Sequence, residues 1–285
     1  MTMKKNVPCV PKLIAVCLLL LCAGTAHAQG VNNAPKSGGC KDLPSHAELK
    51  AALTTARNNP DNGGLNFDMW GTIVDRDGVV CAVAFTGTDR GQQWPGSRVI
   101  SAQKANTANA FSLPNFALST ANLYTAVQPG GSLLGLQESN PVATDVAYSG
   151  NPAGYGQPND PMVGGRIGGV NVFGGGLGLY NSSKQLVGGI GVSGDTSCAD
   201  HNIAYRTRNA LNLDYVPAGV GDPAHKDNAI YDITPQGGGD ALPIAGMGQM
   251  PGVSASGFGH SSCHGYNTGG NATDTGLALA LPATK

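Results

Sequence analysis

Glycine and proline are about twice as frequent in this chain as in an average protein, which limits the length of its helices and strands. The 285 residues include 43 glycines and 18 prolines, a share that stays below the level of low-complexity chains. Hydrophobic residues make up 41%, which is enough for one sizeable core. The sequence therefore predicts a folded, loop-rich protein of one or two domains.

The N-terminus has the features of a secretory signal peptide. Three lysines precede or flank an apolar run over 13–21, and Ala26 and Ala28 supply the small residues of a cleavage site. The run is shorter than the roughly 20 residues that a membrane span requires. We therefore expect a signal peptide over 1–28 and a periplasmic or secreted mature protein. A lipid anchor at Cys22 is the alternative, although the preceding leucine stands where such a site has a small residue.

The balance of charges excludes one class of partner. The chain has 17 Lys and Arg against 18 Asp and Glu, and the signal peptide carries basic residues only, so the mature protein is mildly acidic. Binding to nucleic acid requires clustered Lys and Arg that neutralise phosphates. We expect no nucleic-acid partner and no membrane span.

Four cysteines remain after the signal peptide: Cys40, Cys81, Cys198 and Cys263. An even number in an exported protein indicates disulfides, and four cysteines allow three pairings. We favour Cys198–Cys263, which ties the C-terminal tail to the body, with Cys40–Cys81 as the second bond. A metal site is the alternative, but the sequence has no Cys-x-x-Cys.

The predicted elements follow the order α-β-β-α-α-β-β-α. A capping box at Ser45 and Glu48 marks the first helix, and Asp77-Gly78 has the composition of a tight hairpin turn. The predicted helices cover 45–58, 98–111, 115–127 and 199–213, and the predicted strands cover 67–74, 79–85, 168–180 and 185–193.

Two irregular segments are candidates for function. The loop over 87–96 contains Arg90 and Trp94, and the segment over 128–165 contains five prolines. Long loops within a domain are often functional. No periodicity is found beyond 217. The chain thus divides into a signal peptide (1–28), a leader (29–44), a domain (45–217) and a Gly/Pro-rich tail packed on that domain (218–285).

Two glycine- and cysteine-containing motifs have ordinary explanations. Residues 189–194 match G-x-G-x-x-G, a dinucleotide-binding pattern. The strand before them is predicted to come from a hairpin and not from a βαβ unit, so close backbone packing explains the glycines better. His260 stands where covalent haem attachment needs a cysteine, and it is expected at the surface beside Cys263.

Four blocks of sequence together resemble the GlcG/HbpS-like family, the haem-degrading or haem-binding domain. The blocks are 73–78, 102–108, 187–194 and the pair Asp200 and Ala204, and the resemblance spans about 45–213. It implies an α+β fold with a central antiparallel sheet flanked by helices, often assembled into homo-oligomers. This chain departs from the short form of the family in its long loops and its irregular C-terminal tail.

The resemblance also implies a haem or tetrapyrrole cofactor. Such a ligand requires an apolar slot, polar or cationic groups for the propionates and an axial ligand for the iron. His201 is the first candidate for the axial metal ligand, and His46 is the second. The candidates for the other contacts are Lys104, Thr107, Arg90, Arg98 and Trp94.

The leading hypothesis is an exported, non-covalent tetrapyrrole-binding protein without catalytic turnover. One alternative is an enzyme that acts on a small carboxylated or oxidised metabolite and uses Lys104, Asp195 and Asp200 as polar groups. Another alternative is a structural or partner-binding exported domain without a small ligand.

Overall fold

A four-stranded antiparallel sheet is the centre of the described structure. The computed structural model describes residues 39–234, 253–263 and 274–285; the predicted signal peptide and most of the leader lie outside these ranges. The strands pair in the order β2-β1-β4-β3, and helices pack against the sheet. This confirms the predicted α+β architecture. The strands are β1 (Trp70–Asp75), β2 (Val80–Phe85), β3 (Gly176–Tyr180) and β4 (Leu186–Ser193).

Three of the four predicted helices are present with small shifts at their ends. Of the described helices, none is long and apolar enough to cross a membrane. Two-residue strands β5 (Ile233–Thr234) and β6 (Val253–Ser254) pair within the tail. The helices are α1 (His46–Arg57), α2 (Ser97–Phe111), α3 (Thr144–Ala147), α4 (Ser197–Ala210) and α5 (Asp274–Leu279).

The helix predicted over 115–127 is wrong. This segment forms two short 3-10 turns, Thr120–Leu123 and Thr125–Val127. The backbone N–H and the hydroxyl of Ser119 both donate to Asn122 Oδ1, at 2.9 Å and 2.8 Å. Such local bonds of Ser and Asn side chains compete with continuous helical bonding.

The sheet separates two apolar layers. Side chains alternate along β1, so that Ile73 packs with α1 and α4 while Trp70 and Val74 pack on the opposite face. The second face is covered by α2 and by residues of the 128–165 segment, such as Met162. The core thus has three layers, with the long segment as part of the outer one.

Helix α2 packs so closely on β4 that positions 189 and 191 of the strand have no room for a side chain. A Cβ atom at Gly191 would lie 1.9 Å from the carbonyl oxygen of Ser101, and one at Gly189 would lie 2.3 Å from that of Ala105. Strand β4 pairs antiparallel with both β1 and β3, so no βαβ unit surrounds these glycines. The G-x-G-x-x-G pattern therefore serves helix-to-sheet packing in this fold.

Both predicted disulfides, Cys40–Cys81 and Cys198–Cys263, are present. The carboxylate of Asp75 and the sulfurs of the first pair lie within 4.8 Å of one another. That carboxylate accepts the N–H groups of Asp77 and Val79, each at 2.9 Å. In this cluster of Cys40, Asp75 and Cys81, the two sulfurs are bonded to each other. The structure therefore has a disulfide where the alternative was a metal site.

Removal of the tail disulfide should destabilise the protein. The double substitution Cys198→Ala/Cys263→Ala is expected to lower the free energy of unfolding by about 2–4 kcal/mol, because the bond restricts the unfolded chain. The two cysteines are 65 positions apart. Urea denaturation under oxidising conditions measures the effect. The matched variant Cys40→Ala/Cys81→Ala, with a separation of 41, should lose a similar amount, and a change below about 0.5 kcal/mol in the tail variant would contradict a stabilising role.

Candidate functional site

An apolar cavity lies between the loop that contains Arg90 and the segment that contains Tyr148. Its volume is about 380 Å³, within the range of small-molecule pockets. The structure thus brings together the two irregular segments that the sequence marked as candidates for function. Its walls include Trp70, Val99, Tyr148, Pro152 and Tyr155, with Arg90 and Arg98 as the basic residues.

A buried ion pair lies behind one wall of this cavity. The guanidinium of Arg98 forms two hydrogen bonds with the carboxylate of Asp160, one of them between Nε and Oδ2 at 2.9 Å. The side chains are 2% and 0% exposed. The guanidinium carbon also lies 3.6 Å from the ring centre of Tyr155. Arg98 therefore fixes Tyr155 in the cavity wall.

The carboxylate of Asp160 organises the surrounding loop as well. It accepts the backbone N–H of Gly156 at 2.7 Å and that of Met162 at 2.8 Å. Arg98 Nη1 donates to the carbonyl oxygen of Ala147 at 2.7 Å, which is the residue before Tyr148. Arg98 therefore ties α2 to the segment at Ala147 and at Asp160, and Asp160 in turn holds the backbone on both sides of it.

The mouth of the cavity carries two exposed side chains, Arg90 and Tyr148. Among the described residues, neither the guanidinium nor the phenol has a hydrogen-bond partner. Trp94, predicted to line the same end, is 50% exposed and packs edge-to-face on Phe67 with ring centres 5.4 Å apart. Of the predicted contact residues, Arg90 and Arg98 reach the cavity.

Lys104 is buried in an ion pair away from this cavity. Its Nζ lies 2.7 Å from Asp200 Oδ2 and donates to the carbonyl oxygen of Val192 at 3.1 Å. Asp200 Oδ1 accepts the N–H groups of Gly194 and Asp195. Burial raises the pKa of the Asp200 carboxyl to about 6, against the opposing effect of the Lys104 ammonium. The pair joins α2 to the first turn of α4, and its contact with a ligand stays a prediction.

Thr107 is also buried on α2. Its hydroxyl donates to the carbonyl oxygen of Gln103 at 2.8 Å and accepts the N–H of Asn171 at 2.9 Å. The hydroxyl therefore fixes the irregular segment before β3, and its contact with a propionate stays a prediction.

The polar groups of the enzyme alternative do not share one cavity. Asp195 borders a separate polar cavity of about 370 Å³ together with Arg57 and Asn66. Its carboxylate accepts the N–H groups of Leu65 and Phe67. Lys104 and Asp200 are paired with each other in the interior, so these three residues do not form a single arrangement of free acid and base.

The geometry disfavours the axial role predicted for His201. The ring is fully buried, and Nε2 lies 3.1 Å from both Asn228 Oδ1 and the N–H of Ala229. Burial lowers the pKa of this imidazole to about 3. A ligand in solution reaches the ring only if these tail residues move. His46, the second candidate, is half-buried, and its Nε2 donates to the carbonyl oxygen of Gly156 at 2.8 Å.

The expectation that His260 lies at the surface is wrong. This residue is 1% exposed, and its Nε2 accepts the N–H of Gly174 at 3.2 Å while Nδ1 donates to the carbonyl oxygen of Ser261. Burial lowers its pKa to about 4. One sequence signal could have predicted that His260 is buried. The disulfide between Cys263 and Cys198 holds the residues around His260 against α4.

Replacement of Arg98 should destabilise the wall of the cavity. Arg98→Met is expected to lower the free energy of unfolding by about 3–5 kcal/mol, because Asp160 is left as a buried unpaired charge. The double variant Arg98→Met/Asp160→Leu should lose less than the sum of the two single variants. Chemical denaturation measures all three. The exposed Arg166→Gln is the control, and an Arg98→Met loss no larger than that of the control would refute this role.

The neutral state of His260 should make stability depend on pH. Its folded-state pKa of about 4 lies below the value near 6.5 of an unfolded histidine, so the unfolded state binds protons first as the pH falls. The contribution of His260 is fully present above about pH 6.5 and is lost towards about pH 4, by up to about 1.4 kcal/mol per pH unit.

Urea denaturation of the wild type and of His260→Gln over this pH range tests the point. The stability advantage of the wild type should shrink as the pH falls, because the variant lacks the titrating group. An advantage that is constant across the range would contradict a neutral buried imidazole.

Three solved structures are similar to this one at low identity. A PduOC:heme complex is 24% identical with a TM-score of 0.41, and the match covers 59% of this chain and 91% of that chain. Klebsiella pneumoniae protein ORFY is 24% identical with a TM-score of 0.39, covering 58% and 87%. HbpS is 16% identical with a TM-score of 0.36, covering 58% and 86%. Among curated proteins, no sequence matches the chain.

The family match is the stronger finding. The family described as "Haem degrading protein HbpS-like" matches residues 46–208, more than half of the chain. This range runs from the start of α1 to the last turn of α4 and includes all four strands of the central sheet. On this evidence the chain belongs to the HbpS-like family.

Proposed function

We propose that this protein is exported and binds haem or a related tetrapyrrole non-covalently in the cavity between Arg90 and Tyr148. The observation that carries the proposal is the cavity itself, which has aromatic and aliphatic walls and an unpaired cation at its mouth. Membership of the HbpS-like family supports the ligand class, and one solved relative is described as a heme complex.

The cavity residues fit the chemistry of such a ligand. A macrocycle has a broad apolar face, and burial of apolar surface contributes about 25 cal/mol per Å². The rings of Tyr148, Pro152 and Tyr155 offer accessible apolar surface for this contact, with Trp70 and Val99 buried behind them. The guanidinium of Arg90 matches the geometry of a carboxylate and would meet a propionate. Haem supplies an iron centre that accepts an axial donor.

The disulfides support the other parts of the proposal. All four cysteines that follow the predicted signal peptide are paired with one another, which leaves no thiol for a covalent bond to a tetrapyrrole. Disulfides persist in oxidising compartments, and this favours a periplasmic or secreted location. Assembly into a homo-oligomer is proposed from the family resemblance.

Titration of the exported chain, purified with its disulfides intact, tests the proposal. Ferric haem is added and absorbance in the Soret region is recorded; we expect a saturable change at one haem per chain. Arg90→Gln should weaken binding by up to about fivefold, because an exposed ion pair contributes up to about 1 kcal/mol.

A blocking variant makes the test specific to the cavity. A Cβ atom at Gly96 would have no atom within 4 Å, and this residue lines the cavity, so the indole of Gly96→Trp is expected to fill the space and abolish binding. Leu134→Trp, at a side chain 64% exposed, is the matched control and should bind as the wild type does. Unsaturable binding, or equal binding by both variants, would overturn the assignment.

A further inference from the structure

We infer that the phenol oxygen of Tyr148 is the axial ligand of ferric iron in this cavity, so that the site selects iron(III) porphyrins over metal-free porphyrins. This inference rests on the proposed function and names the group that gives it specificity. The iron ligand would then be a tyrosine on the 128–165 segment and neither of the histidines that the sequence suggested.

Tyr148 is the residue of the cavity lining whose side chain is best suited to bind iron. Haem iron in proteins is held by His, Cys, Met or Tyr side chains. Of the described residues that line the cavity, Tyr148 and Tyr155 are the ones that belong to this set. The phenol of Tyr155 donates to the carbonyl oxygen of Ser149 at 3.2 Å, and its ring is covered by the guanidinium of Arg98. Tyr155 is thus held in the wall.

Tyr148 combines a free phenol with a fixed backbone. Its side chain is 63% exposed, and no described residue accepts or donates a hydrogen bond at its hydroxyl. Its backbone N–H donates to the carbonyl oxygen of Thr144 at 3.1 Å. The preceding Ala147 is fully buried and accepts the bond from Arg98 Nη1. The ligand is therefore anchored at its Cα while its oxygen remains available, which reduces the entropy that binding costs.

Ligation by Tyr148 exchanges a proton for the metal ion. It breaks the phenol O–H bond and forms an O–Fe(III) bond, and the proton leaves to water without any change of oxidation state. The charge of the bound ferric iron itself stabilises the phenolate. Arg90 lines the same cavity and remains assigned to a propionate.

The histidines are less suitable for geometric reasons. His201 is enclosed by Asn228 and Ala229 of the tail. His46 donates its Nε2 proton to the carbonyl oxygen of Gly156 and is outside the set of residues that line the cavity. A metal-free porphyrin would use the apolar walls and Arg90 equally well, so Tyr148 alone separates the two ligands.

Two ligands and three variants test the inference. Ferric haem and metal-free protoporphyrin are titrated into the wild type, Tyr148→Phe, His46→Ala and Tyr215→Phe; the last is the matched control, because its phenol bonds to Asn212 outside the cavity. We expect Tyr148→Phe to bind ferric haem at least about tenfold more weakly, a loss of about 1.4 kcal/mol, and to bind metal-free protoporphyrin as the wild type does. Resonance Raman spectra should show iron-phenolate bands in the wild type and in Tyr215→Phe but not in Tyr148→Phe.

The outcomes separate this inference from the proposed function. Saturable haem binding with an unchanged affinity and spectrum in Tyr148→Phe overturns the assignment of the ligand and leaves the proposed function standing. Loss of ferric haem binding in His46→Ala, with Tyr148→Phe intact, overturns it in favour of the histidine. Absence of saturable haem binding in the wild type overturns both.

Discussion

The close contact between helix α2 and strand β4 is the constraint on which the rest of the structure depends. Glycines at positions 189 and 191 let the helix backbone approach the strand, and the same helix carries two buried cations, Arg98 and Lys104. Arg98 pairs with Asp160 of the long segment, and Lys104 pairs with the first turn of α4. Buried ions are costly unless every charge is paired and hydrogen-bonded. One helix therefore sets the position of the cavity wall and of α4.

The tail completes the interior of the family domain. The family match ends at Arg208, whose guanidinium is fully buried and pairs with Asp227 of the tail. Asn228 and His260 supply further hydrogen bonds to groups on α4 and before β3. Without these tail residues, Arg208, His201 and the N–H of Gly174 would lose these hydrogen-bond partners. The described part of the tail, which contains β5, β6 and α5 where the sequence predicted no regular structure, is thus held by hydrogen bonds and an ion pair as well as by its disulfide.

The scaffold and the candidate site lie within the same family match. Residues 46–208 match the HbpS-like family, and this range includes the central sheet as well as the loop of Arg90 and the segment of Tyr148, where the cavity is formed. The blocks of sequence that carry the resemblance, such as 102–108 and 187–194, lie in the packed layers. The family resemblance therefore predicted the fold of this chain, and the binding residues stay a prediction.

The sequence by itself determined the elements whose signals are local. The capping box of α1, the hairpin turn at Gly78 with its φ of +75° and the glycine pattern of β4 follow from short-range chemistry. The pairing of the cysteines was favoured from the same information. Only the tertiary structure decided which polar side chains already have hydrogen-bond partners inside the protein. Lys104 and His201 have the chemistry to bind a ligand, but residues distant in sequence bury them and bond to them. Exposure and hydrogen bonding depend on contacts across the fold, and a residue's type and its neighbours in sequence do not specify those contacts.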